Sequence, residues 1–287
     1  MSASLGTILT AMVTPFDDRG AVDEEAAVTL MHHLVEHGSD GVVVCGTTGE
    51  GSTLSDDEHL GVVELAVQEL GGRHTVIAGA GSNDTRHAVH LTERATELGA
   101  DAILSVNPYY NRPSRRGIVR HFQEVSRATD RPIVLYNIPQ RTASDMPNDL
   151  LAELAQIEHV AAVKQANPAN LANIDGLQIY AGNDDLLADV LDMGGAGGIL
   201  VASHLVGDEM RRMAEEPDRR REIDASLQDV YRDLSVAPLA CSVKAALNLL
   251  GVEVGAPRLP YVELDEPETA VVRDMLERHG LLTPAAG

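Results

Sequence analysis

Residues 41–79 read GVVVCGTTGEGSTLSDDEHLGVVELAVQELGGRHTVIAG. The stretch opens on an apolar run, Gly41 to Cys45, and passes through a turn rich in glycine and threonine. Ser55 then stands as an N-cap, with Glu58 three residues on as its capping-box partner. The helix this starts runs to about Leu70 and stops at Gly71-Gly72, and Thr75 to Gly79 is apolar again. Neither run alternates with polar residues, as a half-buried strand would. Both are composed for burial on two faces, so the unit predicts strand, helix and parallel strand.

The same unit repeats outward in both directions. Upstream, Ile8 to Val13 is apolar and closed by Thr14-Pro15. A helix follows from about Glu24 to His37, with Ala27, Leu30, Met31 and Leu34 on one face and Gly38 as its stop. Downstream, apolar runs begin at Ala102, Pro132, His159, Leu177 and Gly197. The helical stretches between them span about 85–98, 117–129, 168–174, 185–193 and 204–214, with Pro147 opening a further one. Eight strand–helix units predict a closed (β/α)₈ TIM barrel over residues 1–216. Residues 217–287 carry only helical patterning and predict about three helices packed on the barrel as part of one structural unit.

Hydrophobic residues make up 44% of the 287 and charged residues 23%, an ordinary globular composition. The net charge of -22 argues against nucleic acid and anionic membrane as partners. It also requires that any site for an anionic substrate carry its own positive groups. Cys45 and Cys241 are too few for a disulfide framework. His32, His33, His37, His87 and His90 form no zinc-type pair, so no metal is expected. The glycine run 194–198 precedes a strand, the wrong order for a dinucleotide loop, and no cofactor is expected. The first residues, Met1 to Leu5, have no basic or long apolar character, and no window is apolar enough to span a bilayer. A cytoplasmic protein is the expectation.

Barrels of this kind place chemistry at the C-terminal ends of their strands. Lys164 closes the sixth run and is one of only two lysines, with Lys244. Burial there would favour the neutral amine that attack on a ketone requires; the alternative is a lysine that reaches solvent. Tyr136 ends the fifth run and is suited to relay protons beside Lys164, unless it is a core tyrosine with a satisfied hydroxyl. Gly46-Thr47-Thr48-Gly49 is a plausible carboxylate cradle of hydroxyls and backbone N–H groups, though such turns are common. Arg141 is a forked donor for a second carboxylate, or a surface salt-bridge residue.

Taken together, Gly46-Thr47-Thr48-Gly49-Glu50, Pro108-Tyr109-Tyr110, Tyr136-Asn137-Ile138-Pro139 with Arg141, and Val163-Lys164 resemble the dihydrodipicolinate synthase / N-acetylneuraminate lyase family in order and spacing. The resemblance covers nearly the whole chain. It implies a Schiff base on Lys164 and a proton relay of Tyr136, Thr47 and Tyr110, the last lent by a neighbouring subunit. It implies Thr47 and Thr48 on the pyruvate carboxylate, backbone groups of Gly182 and Ile199 at the pocket wall, and Arg141 on the carboxylate of an incoming aldehyde. Arg141 and the segment Pro257-Arg258-Leu259-Pro260 resemble the synthase branch, which condenses pyruvate with L-aspartate-4-semialdehyde in lysine biosynthesis. A homotetramer built as a dimer of dimers is implied too. Asn107, Gln165 and Gly51-Ser52 depart from the commoner synthase pattern. An aldolase for another aldehyde, such as a 2-oxo-3-deoxy sugar acid, and a non-catalytic keto-acid-binding paralogue are the competing readings.

Lysine-inhibited members of the family bind lysine at a dimer interface. The resemblance aligns His59, Asn83 and Tyr109 with that site. Gly51 stands in place of its serine and His87 in place of its glutamate, which implies weak inhibition or none.

Overall fold

The structure, a computed structural model, describes residues 5–283. The expectation for Met1 to Ser4, and the last four residues of the expected C-terminal segment, lie outside them. Eight parallel strands close into a barrel in chain order: β1 (Ile8–Ala11), β2 (Gly41–Val44), β3 (Thr75–Gly79), β4 (Ala102–Val106), β5 (Ile133–Asn137), β6 (Val160–Gln165), β7 (Gln178–Ala181) and β8 (Gly197–Leu200). Closure is explicit at β1, whose Thr10 is in register with Val42 of β2 and Leu200 of β8. Nearly every strand residue is buried, which is why the strands read as unbroken apolar runs.

The barrel helices are α1 (Glu24–Glu36), α2 (Asp56–Leu70), α3 (Thr85–Leu98), α4 (Arg115–Arg127), α5 (Pro139–Thr142), α6 (Asn148–Leu154), α7 (Leu187–Asp192) and α8 (Ser203–Glu215). The capping box at Ser55 and Glu58 is present in full. Gly38 follows α1 at φ 93°, the left-handed conformation that ends a helix most cheaply in glycine. A Cβ there would also meet the Gly207 carbonyl oxygen at 2.4 Å.

Three expectations need correction. The helix expected over 168–174 is only a 3₁₀ turn, Pro168–Asn170. Asn170, Asn173, Asp175 and Gly176 are poor helix formers, and Asn170 turns its amide to Asp145 instead. The expected 185–193 helix splits into a 3₁₀ turn, Asp184–Leu186, and α7. Between β5 and the helix after Pro147 lies α5, which carries Arg141 and was not expected.

Beyond the barrel come α9 (Arg220–Leu234), α10 (Leu239–Leu249) and α11 (Glu266–Arg278). Helix α9 packs on α8 and on the 3₁₀ turn that follows β7, and α10 packs on α8 and α9. This brings the end of α9 and the start of α10 over the C-terminal mouth of the barrel, so the mouth is roofed on one side.

Candidate active site

Tyr136 and Lys164 are register partners on β5 and β6. Both are 5% exposed, and the Lys164 Nζ lies 4.4 Å from the centre of the Tyr136 ring. Burial lowers Lys164 to about 8; the Asp184 carboxylate opposes that shift and the Arg141 guanidinium adds to it. Burial pushes the Tyr136 phenol up to about 12, against the pull of Arg141. The pair thus offers a partly neutral amine beside a phenol that keeps its proton at neutral pH.

A cavity of about 560 Å³ opens above this pair. Thr47, Thr48, Tyr136, Arg141, Lys164 and Gly182 all line it, so six of the eight residues singled out in the sequence meet in one place. The threonine turn is closed by Glu50 N–H to the Thr47 carbonyl and Gly51 N–H to the Gly46 carbonyl. Cys45 and Glu50 flank it at φ 57° and 53°, left-handed conformations that a side chain adopts only where its surroundings hold it. Lys164, Arg141 and Arg232 supply the local positive charge that an anionic substrate needs on so acidic a protein.

Two of the eight residues lie elsewhere. Ile199 is fully buried within β8, and Val201 forms the cavity wall there. Tyr110 is 87% exposed, on the loop after β4 at φ 71°, and does not line the cavity of its own chain.

Sequence reasoning assigned no role to three contributors. Asp184, just past β7, accepts from the N–H groups of Val201 (2.8 Å) and Ala202 (3.0 Å). Burial raises its carboxyl to about 6, while those two N–H groups and Lys164 pull the other way. The strand-end rule had already pointed to its position. Tyr231 lines the cavity from α9, in a region with helical patterning and no motif to mark it. Glu50 pairs with Lys244 at 2.7 Å, both side chains out of solvent, which joins the threonine turn to α10. Among the described residues, no group of three or more His, Cys, Asp or Glu could hold a metal ion.

A model of the Dihydrodipicolinate synthetase family matches residues 4–279. The chain is 42% identical to a 4-hydroxy-tetrahydrodipicolinate synthase of Heliobacterium modesticaldum, over 96% of each sequence. Among solved structures, it is similar to a dihydrodipicolinate synthase of Bacillus anthracis, with a TM-score of 0.91 and 36% identity over 95% of this chain and 98% of that one. It is similar as well to a dihydrodipicolinate synthase of Cyanidioschyzon merolae with lysine bound, with a TM-score of 0.93 and 37% identity over 97% and 99%.

Proposed function

The chain belongs to the dihydrodipicolinate synthetase family, and from that premise we propose that it condenses pyruvate with L-aspartate-4-semialdehyde to 4-hydroxy-tetrahydrodipicolinate, in lysine biosynthesis. The observation that carries this reading is Lys164, buried against Tyr136 at the base of a cavity rimmed by two threonines and an arginine.

The neutral Lys164 amine adds to the C2 carbonyl of pyruvate. Thr47 and Thr48 hold the pyruvate carboxylate, and the wall at Gly182 and Val201 confines the methyl end. Tyr136 gives a proton to the carbinolamine hydroxyl, which leaves as water and produces the imine. Loss of a C3 proton turns the imine into an enamine. Its C3 attacks the aldehyde carbon of the semialdehyde, whose oxygen takes up a proton. The amine of the second substrate then attacks the imine carbon, closing the ring and freeing Lys164. Arg141 pairs with the carboxylate of the second substrate as a charge-assisted fork.

Thr47 and a neighbouring subunit's Tyr110 complete the proton relay. Supporting that role, Tyr110 projects from its own chain, 87% exposed. Such lending needs a dimer in which each subunit completes the other's site, and the resemblance implies two such dimers in a homotetramer. No helix among the described residues is long and apolar enough to cross a membrane; a cytoplasmic setting suits the reaction.

Borohydride reduction in the presence of pyruvate should leave a reduced pyruvyl adduct on Lys164, located by peptide mass spectrometry. An adduct on Lys244 alone, or none, would refute the mechanism. A panel of aldehydes with pyruvate separates the semialdehyde from sugar-acid partners, and a chain that turns over none of them is a keto-acid binder.

A further inference from the structure

Asn107 and Gln165, two of the residues that depart from the commoner pattern, both bear on one loop, Asn107 directly and Gln165 through Asn137 and Asn167. Asn107 follows β4, and its Nδ2 donates to the carbonyl oxygen (3.1 Å) and Oγ (3.0 Å) of Ser144. Gln165 closes β6, and its Oε1 accepts from Asn137 Nδ2 (3.1 Å) and from the N–H of Asn167 (3.0 Å). Asn137 closes β5; its Oδ1 accepts from the N–H of Met146 at 3.0 Å, and its Nδ2 reaches Asp145 Oδ1 at 2.9 Å.

Asp145 is where these ties converge. Besides Asn137, its carboxylate accepts from Asn167 Nδ2 (3.2 Å) and from Asn170 Nδ2 (3.0 Å at Oδ1, 2.8 Å at Oδ2). Every one of these donors is a neutral side-chain amide. No lysine, arginine or histidine pairs with Asp145 among the described residues. Amide donors to a carboxylate belong to the stronger class of hydrogen bond, and several on one carboxylate fix its position closely.

The loop so held runs from Ile138 to Met146 and contains α5, hence Arg141. It is stiffened from within, as the buried Thr142 hydroxyl bonds to the Ile138 carbonyl (3.0 Å) and the Ser144 carbonyl (2.7 Å). Arg141 itself is exposed at the cavity rim, so its direction is set by the loop beneath it. Tyr136 and Lys164, by contrast, are held by the backbone ladder of β5 and β6.

We propose that Asp145 is a positioning residue for recognition of the second substrate: it gathers the side-chain amides of Asn137, Asn167 and Asn170 and so fixes the loop that presents Arg141 to the cavity. This rests on the reading of Arg141 as the partner of the aldehyde's carboxylate. The pyruvate carboxylate is read by Thr47 and Thr48, on the turn after β2, which among the described residues makes no hydrogen bond to Asp145 or its amide partners, and Lys164 is held by the β5–β6 ladder.

The test is a double-mutant cycle between Asp145→Ala and Arg141→Ala, with KM for each substrate and borohydride trapping of pyruvate on Lys164. Asp145→Ala should raise KM for the semialdehyde about tenfold, since a small misplacement of a binding group is costly. Pyruvate KM and trapping should stay within about twofold, and the double variant should be no worse than Arg141→Ala alone. Asp145→Asn, close to isosteric, should give a smaller change of the same pattern, because its new amide meets the amide of Asn170; it serves if the alanine variant does not fold. Equal losses for both substrates, or losses that multiply in the double variant, overturn the proposal. A wild type that traps no pyruvate overturns the proposed function along with it, whereas normal trapping with multiplying losses overturns this proposal alone.

Discussion

A lysine at 5% exposure that titrates at about 8 is destabilising while it carries charge. Its ordinary value is 10.5, so the folded state holds the proton less tightly than the unfolded chain does. Below about pH 8 both states are protonated and the full cost of the buried ammonium is present. The cost fades as pH rises from about 8 to 10.5 and is gone once both states are neutral. A shift of this size corresponds to roughly 3 kcal/mol. Lys164→Met, similar in length and uncharged, should therefore be inactive yet more stable than wild type at pH 7. Its advantage should shrink towards pH 10. Paired urea melts at the two pH values check this, and a variant less stable at pH 7 would show that the ammonium is compensated by partners such as Asp184. Activity follows the same titration with useful sign: the rate of pyruvate imine formation should climb between pH 7 and 9 as the amine deprotonates.

Among the elements, the decisive junction joins the turn after β2 to α10. Glu50 holds a left-handed conformation at φ 53° while its carboxylate takes Lys244 Nζ at 2.7 Å and the N–H of Arg258 at 2.8 Å. Lys244 also donates to the Ala256 carbonyl and lies 4.0 Å from the centre of the Phe16 ring. Lys244→Met would leave a carboxylate buried without its cation, which costs about 3–5 kcal/mol. Stability should fall by that amount and pyruvate KM should rise, because Thr47 and Thr48 sit on the turn that Glu50 closes. Adding Glu50→Gln removes both charges and should restore most of the stability. A single variant with wild-type melting would exclude the junction as a support of the turn. This pair also marks the boundary of what could be read in advance. The eight units were legible because strands buried on both faces are continuously apolar and because Ser55, Glu58 and Gly38 write their caps locally. Thr47, Thr48, Tyr136 and Lys164 were legible because strand ends predict the site. The Glu50–Lys244 pair, the roof contributed by Tyr231, and α5 were not. Helix α5 is a single turn of four residues, too short to show a period; the other two depend on contacts between residues far apart in sequence, and no local periodicity records such contacts. The failed helix at 168–174 has the same origin, since Asn170 is committed to Asp145.

At the scale of the whole molecule, the resemblance marks Gly51, His59, Asn83, His87 and Tyr109 as the place where free L-lysine would act. The resemblance to lysine-inhibited members places a lysine ammonium against a glutamate where this chain has His87. Here His87 Nε2 lies 2.9 Å from Asp56 Oδ1, and its Nδ1 lies 3.3 Å from Ser82 Oγ, so both ring nitrogens are engaged. Asp84, the nearby acid in the sequence, caps α3 through the N–H of Arg86 and lies 3.6 Å from the Arg86 guanidinium. The missing serine cannot simply be restored, because a Cβ at Gly51 would meet the Cys45 carbonyl oxygen at 2.3 Å. Loss of the charged partner alone weakens a lysine ligand by about 2 kcal/mol, close to 30-fold. Free L-lysine should therefore inhibit weakly or not at all, and sub-millimolar lysine should leave turnover largely intact. His87→Glu should make the enzyme about tenfold more sensitive, by returning an acid to face the ammonium while freeing Asp56. Steady-state rates across a lysine titration decide the matter. Half-inhibition of the wild type below about 1 mM would mean that the ammonium finds a charged partner worth the missing 2 kcal/mol, and Asp56 and Asp84 would be the first two residues to replace.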